Sequence, residues 1–421
     1  MSLSLLGILE KDHVTKSFHE GTQRSCAPSE TIERVRGIFP LIGLTRVANI
    51  TGLDVLGVPV YTACRPNARS LSTAQGKGYT HEAARASAVM ESIETYHAET
   101  IQAPLQLCSY NEIRFRDSCV DPFAMPHLAG SDLTANHRLL WIEGVNLLNQ
   151  GVSWAPFEAV HTDYTTPVLP GHGHFVSSSN GLSSGNTFHE ALIHGICEII
   201  ERDAVTLFQL RSQYEKDAAR ISLETIDNRR CAHILHRFLA CGIHIGLWDI
   251  TSDIGIPAFL CRILPDKESD IAGIRPVSGM GCHMSKDIAM LRALTEAAQS
   301  RLSFISGGRD DLSRRNYQKY LNADEYAKWL QSITSQEAPP KSYKDIPDRL
   351  QETFAGDLQY LLNALKRMGI ESVTAVDLTK EEIGIPVTRI VIPGLESFRS
   401  GNNIMPGPRA RRLLARGGVH G

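Results

Sequence analysis

The sequence predicts a mixed fold in which long helices pack with short strands. Two observations carry this. Residues 80–99, 187–211 and 287–303 place their apolar residues at helical spacing. Around them lie shorter runs rich in Val, Ile and aromatic residues, which alternate with the helices in no regular order. The glycine-rich stretches fall at turns, and no low-complexity linker divides the chain.

The helix over 80–99 opens on Thr80, a good N-cap, with Glu82 in its first turn; Ala84, Ala88 and Met90 suit a packed face. The helix over 187–211 opens on Thr187 followed by Glu190, the spacing of a capping box. Leu192, Ile196, Ile199, Ile200 and Val205 give it one buried side. The third, over 287–303, has Leu291, Leu294, Ala298 and Leu302 as its stripe. Strands are expected at 57–61, 243–250, 258–264, 372–377 and 387–392. The charged segment 307–349, with Pro339, Pro340 and Pro347, reads either as a surface insertion or as a helix pair packed on the rim.

The bulk numbers exclude several classes. At 421 residues the chain is long enough for about one to three domains. No window approaches the roughly eighteen apolar residues of a membrane-spanning helix. The start has no basic leader and soon meets Glu10, Lys11 and Asp12, unlike a secretory signal. A net charge of -3 argues against a general nucleic-acid binder. Nine scattered cysteines include no C-x-x-C pair, which argues against a zinc knuckle or disulfide framework and for reduced thiols in the cytoplasm.

The first two helices repeat one pattern. Gly78-x-Thr80 leads to Glu91-x-x-Glu94, and Gly185-x-Thr187 leads to Glu198-x-x-Glu201 at the same spacing. The third is a weaker echo, with Glu296-x-x-Gln299 after a turn around Gly279 and Gly281. Residues three and four apart share a helical face, so Ser87, Glu91 and Glu94 form one polar line, and Glu198 and Glu201 another. Arg202 is expected to point elsewhere around its helix. Carboxylates interrupting apolar helices need neutralising. For any one pair, Lys or Arg partners suffice. Taken together, the pairs point to magnesium ions, which accept carboxylate oxygens and keep further positions for phosphate oxygens.

Basic residues would complete such a site. Lys77 lies in Gly76-Lys77-Gly78, read as flexible backbone ahead of a helix N-terminus, an end that favours anions. Arg202 and Arg301 are candidate phosphate clamps. The turn from Asn180 to Asn186 could touch ribose, base or metal-bound water, or could simply be a helix-entry loop. His161, His172, His174, His189 and His194 fit no strong zinc spacing and are read as polar surface.

This ordered set resembles the YcaO family, most strongly over 75–303. The family's first element is similar to Gly76-Lys77-Gly78 followed by Ser87, Glu91 and Glu94. Its second resembles Asn180-Gly181, Gly185-Asn186-Thr187, Glu190, Glu198, Glu201 and Arg202. Its third resembles Glu296, Gln299 and Arg301. The resemblance implies an α+β fold, with the Glu-bearing helices packed on mostly antiparallel or mixed sheets around a central ATP site. It implies a core domain over 71–421 and an N-terminal segment, 1–70, integrated with it. It puts Lys77, Ser87, Asn180, Ser184, Asn186, Glu190, Arg202, Gln299 and Arg301 at ATP and its phosphates, and Glu91, Glu94, Glu198, Glu201 and Glu296 at Mg2+; no catalytic residue follows from it.

The resemblance also implies a reaction: O-phosphorylation of a peptide backbone amide, then attack by a sulfur nucleophile to give a thioamide or by a neighbouring side chain to give an azoline. The segments Lys16, Gly21-Thr22-Gln23-Arg24, Pro28, Glu30-Thr31, Thr45-Arg46 and Arg65-Pro66-Asn67 resemble the TfuA-associated, thioamide-forming branch, as does the tail from Pro406 to Arg412. The ending, Gly417 to Gly421, departs from the proline-rich end of azoline-forming relatives. The implied partners are a TfuA-like protein, a peptide or protein substrate and a sulfur donor, with room for a homodimer. No peptide-clamp domain precedes the core, so recognition is expected to need a separate protein. An azoline-forming cyclodehydratase and a non-turnover ATP-binding module aiding ribosomal-protein modification are the alternatives.

Overall fold

The computed structural model describes residue 7 and residues 14–266, 276–312, 323–335, 337–397 and 403–416. Residues 1–6 and 8–13 of the start and the Gly417–Gly421 ending lie outside the described residues, as do 313–322 and 336 of the charged segment.

In chain order the helices are α1 (Pro28–Val35), α2 (His81–Glu99), α3 (Tyr110–Arg116), α4 (Phe188–Gln209), α5 (Gln213–Ala218), α6 (Arg229–Ala240), α7 (Lys286–Ser306), α8 (Ala323–Thr334), α9 (Phe354–Arg367) and α10 (Pro408–Arg416). The strands are β1 (Arg46–Asn49), β2 (Val60–Cys64), β3 (Thr73–Lys77), β4 (Leu105–Ser109), β5 (Arg138–Asn146), β6 (Gly151–Pro156), β7 (Leu182–Ser184), β8 (Ile243–Asp249), β9 (Ala258–Pro265), β10 (Val277–Cys282), β11 (Thr374–Asp377) and β12 (Val387–Val391). They form three sheets: β1-β2-β3, β10-β9-β8, and a six-stranded sheet in the order β4-β5-β11-β12-β7 with β6 also on β5. Every described strand pair is antiparallel, so the fold is α+β.

Three strand-to-helix units place the long helices. β3 runs into α2, β7 into α4 and β10 into α7, and each helix packs back on the strand that leads into it. The glycines make this possible. A Cβ on Gly76 would collide with main-chain atoms of Ala84 and Ala88; one on Gly279 would strike Ala293 and Ala297. Gly76-Lys77 is therefore the end of a strand pressed on a helix, not the flexible lead-in expected from its sequence. The same rule explains why β3 and β10 were not anticipated. Their sequences, TAQGK and VSGMGC, give up β-branched bulk for close approach.

Helix starts follow the expected caps, with one exception. Thr80 Oγ1 accepts from Ala83 N at 3.2 Å, and Thr187 Oγ1 accepts from Glu190 N at 3.3 Å. The reciprocal half of the Thr187 capping box is absent, because the Glu190 carboxylate turns to Ser25 N and Asn186 N instead. The expected strand at 57–61 begins only at Val60, since Gly57 sits at φ +62° in the turn before it. That at 372–377 begins at Thr374.

The apolar core follows this layering. Val89 and Ile93 of α2 pack with Ala63 and Ala74 of the small sheet and with Trp141 and Val387 of the large one. Leu192, Ile196 and Ile200 of α4 join Ile390 and helix α9. Leu291, Leu294 and Ala298 of α7 lie on β8–β10 with α6. The described part of 307–349 packs on the rim: Tyr326, Trp329 and Ile333 of α8 join the α4 core, and Tyr343 donates its hydroxyl to Asp287 at 2.6 Å. At the start of the chain Lys16 pairs with buried Asp357 at 2.5 Å, and Arg65 pairs with Glu99 at 2.7 Å. All nine cysteines are free.

Candidate functional site

Helices α2, α4 and α7 turn their polar lines toward one cleft of about 480 Å³. Its walls carry Lys77, Ser87, Glu91, Glu94, Ser184, Asn186, Glu190, Glu198, Glu201, Arg202, Glu296 and Gln299. The polar residues of three separate helices thus meet, which the spacing of each line alone could not require.

Two expected residues stay outside. Arg301 leaves the cleft and pairs its Nε with both oxygens of Asp54 at 3.0 Å, both side chains being buried. Helical geometry accounts for this: Arg301 is about 200° around α7 from Gln299, on the opposite side. Asn180 faces a separate cavity of about 70 Å³ beside Arg389, where its Oδ1 has no hydrogen-bond partner. Arg202 is corrected the other way. It lines the cleft, with Nη2 at 3.9 Å from Glu198 Oε1 one turn earlier.

The carboxylates are held under electrostatic stress. Burial pushes Glu91 up to about 7 against the pull of Lys77 and Arg309. Burial pushes Glu94 up to about 8, although Ser184 Oγ and N donate to it at 2.7 and 2.8 Å. Glu198 is pushed up to about 7 by burial, opposed first by Arg202. Burial and then Glu296 raise Glu201. Only Glu296 is lowered: burial works against ionisation, but Lys77, bonded to its Oε2, and Arg202 outweigh it. Burial is the first cause of each rise, and the lining adds to it with seven glutamates against five lysine and arginine side chains.

The donor set fits magnesium. Glu201 is 2% exposed, and its Oε2 is buried without a hydrogen-bond partner, the state of an oxygen awaiting a ligand. Among the described residues no three glutamate oxygens of the cleft crowd within 4.8 Å of one another. They ring a nucleotide-sized space instead, an arrangement for ions that also bind phosphate.

Glu190 plays a different part. Its side chain accepts from Ser25 N at 2.6 Å and Asn186 N at 3.0 Å and lies 3.6 Å from Arg24. With these lone pairs engaged it braces the wall formed by Glu20, Gly21, Thr22, Arg24 and Cys26 against the start of α4. Arg24, His194, Arg292 and Arg309 also line the cleft and were not anticipated as site residues. His194 was set aside as polar surface, yet it sits one turn from both Glu190 and Glu198, a spacing that could have revealed it. Burial, then Arg292 and Arg24, hold it well below its usual range, so it is neutral.

A family model described as YcaO cyclodehydratase, ATP- and Mg2+-binding, matches residues 75–396. The chain belongs to the YcaO family. Its cofactors are accordingly ATP and Mg2+. A YcaO relative from Rhizobium leguminosarum bv. trifolii, described as an uncharacterized protein in the tfuA 3′ region, is 36% identical over 97% of this chain and 96% of its own length. An uncharacterized protein of Methanothermobacter thermautotrophicus is 34% identical over 88% and 94%. Among solved structures, YcaO from Methanopyrus kandleri bound with AMPPCP and Mg2+ superposes with a TM-score of 0.73 at 20% identity, over 91% of this chain and 95% of that one. A heterocyclase in complex with substrate and cofactor gives 0.77 at 21% identity over 98% of this chain, which spans 58% of the heterocyclase's length. At these identities the structures show the shared fold.

Proposed function

We propose that this YcaO protein uses ATP to activate a backbone amide of a peptide or protein and directs a sulfur nucleophile onto it, forming a thioamide such as a thioglycine together with a TfuA-like partner. The observation that carries the reading is the meeting of five glutamates from three helices on one cleft with Lys77 and Arg202 among them. An amide is a poor electrophile and its oxygen a poor leaving group, whereas a phosphorylated oxygen leaves readily.

Bound ATP supplies the phosphoryl group, and Mg2+ screens its charge. The chain's residues do the rest. Glu91, Glu94, Glu198, Glu201 and Glu296 would hold the cations. Lys77 and Arg202, beside Glu296 and Glu198, would offer their charge to the phosphate oxygens. Ser184 fixes Glu94, and Glu190 fixes the Arg24 wall. Gln299, which donates to Gln75 O at 2.8 Å, orients the β3 end of the site.

The thioamide product is favoured by the Rhizobium relative, whose description places it in the tfuA 3′ region, and by the likeness of both termini to that branch. Nine free cysteines support a reducing compartment, the cytoplasm. Azoline formation is the second reading, supported by the family's description as cyclodehydratase. A non-turnover ATP-binding module is separated from both by the absence of hydrolysis.

The deciding experiment is mass spectrometry of a candidate precursor peptide incubated with the chain, its TfuA-like partner, ATP, Mg2+ and sulfide. Exchange of oxygen for sulfur supports the proposal; loss of water moves the assignment to azoline formation. Neither change, under any sulfur source, would overturn both. Glu201→Gln should lower ATP hydrolysis about a hundredfold or more while the protein stays folded, because a metal carboxylate is lost.

A further inference from the structure

We infer that the chain carries a second metal site, outside the ATP cleft, where the loops 126–137 and 169–175 meet, and that it takes a transition ion of the Zn2+ class on Asp132, His137 and His174. One ligand atom from each of the three lies within 4.8 Å of the others. His174 is buried, and its Nδ1 is 3.8 Å from Asp132 Oδ1. The His137 and His174 rings stand 5.2 Å apart, centroid to centroid. None of the three lines the ATP cleft.

The chemistry of the donors selects the ion. Two imidazoles and a carboxylate match Zn2+ and its neighbours, whereas Mg2+ prefers an all-oxygen shell. Three protein ligands with an exposed Asp132 leave a fourth position open to water.

The surroundings hold these donors in place. The Glu158 carboxylate accepts from Gly173 N at 2.7 Å and from His174 N at 3.2 Å. Leu128 N donates to His174 O at 3.0 Å, tying the two loops together. Ser131 Oγ lies 3.1 Å from His174 Nδ1. Thr134 holds the His137 ring, its main-chain N–H donating to Nδ1 at 3.1 Å and its hydroxyl lying 3.3 Å from the same nitrogen. The C-terminal residues join the same place, with Ala129 N donating to Asn403 O and Met405 N to His127 O. A bound ion would therefore staple both loops beneath the tail.

The test uses the full-length chain, free of any affinity tag and stripped of metal, dialysed against Zn2+ in excess Mg2+. Wild type should retain one equivalent of Zn2+, and Co2+ in its place should give the absorption of a four-coordinate ion. Asp132→Ala, on an exposed side chain that folding does not need, and His137→Ala should each weaken retention about tenfold or more. Glu201→Gln, in the ATP cleft, should leave it unchanged. Retention equal to wild type in both loop variants, or no retained equivalent in wild type, would overturn the site.

Discussion

At the scale of single residues, the cleft glutamates govern how stability depends on pH. Glu91, Glu94 and Glu198 rise from 4.5 to about 7, 8 and 7, so between those limits the folded state binds protons that the unfolded state has released. Stability from these groups is full below 4.5 and is lost as pH rises through the folded values. His97 and His161 act in the opposite direction. Their values fall from 6.5 to about 4, so their contribution grows with pH and is complete above 6.5. The window from 6.5 to 8 therefore isolates the carboxylates. Denaturant titrations of metal-free protein should show stability falling with pH there, and Mg2+ with a non-hydrolysable ATP analogue should flatten the slope. A rising slope without metal would contradict the burial that raises these carboxylates.

Arg301 gives the contrasting case. It belongs to the family-like E-x-x-Q-x-R run yet serves a buried pair with Asp54. Arg301→Ala should cost about 3–5 kcal/mol by leaving that carboxylate alone in the interior. Nucleotide affinity of the folded fraction, measured by calorimetry, should hold. A selective loss of ATP binding with unchanged melting would return Arg301 to the phosphate site. The position was legible in sequence, because five residues after Glu296 lies off the cleft face.

At the scale of elements, the strand-to-helix unit depends on glycine. β3 and β10 meet α2 and α7 backbone to backbone at Gly76 and Gly279. Gly76→Ala should destabilise the protein by about 1–3 kcal/mol or more through overpacking, and should disturb Lys77 next to it. Thermal melting checks the first, and ATP hydrolysis the second. The helices themselves were legible, since caps, acidic first turns and apolar stripes agree along each. β4, β5, β6 and β7 were not singled out: β5 and β6 form a local hairpin, but β5 also pairs with distant β11 and β7 with distant β12. Helix α8 shows the same effect, because which of its faces packs is set by β8, β9 and the α4 core.

At the scale of the whole molecule, the cleft is closed by a wall that precedes the family-matched region. Residues 75–396 carry the match, yet Glu20 to Cys26 line the site, held through Ser25 N and Arg24 on Glu190. Glu190→Ala should speed hydrogen exchange at Ser25 and Asn186 and weaken ATP binding about tenfold, the worth of one hydrogen bond to a charged group. If exchange there is unchanged, the brace carries no weight. The repeated Glu pairs gave the cleft away early, whereas this wall did not show, because nothing local marks a loop that crosses to another element.

The sequence by itself determined the three long helices, their shared polar pattern and, through the YcaO resemblance of that pattern, ATP and Mg2+ as cofactors. Periodicity and capping are local, so one stretch of chain suffices to read them. Tertiary structure alone decided that the lines of α2, α4 and α7 face one another, that Asp54 takes Arg301, and that Arg24, Arg292 and Arg309 belong to the cleft. It alone brought Asp132 and His137 to His174. Those outcomes depend on how elements far apart in sequence pack, and the net charge of a cleft exists only once its walls have met.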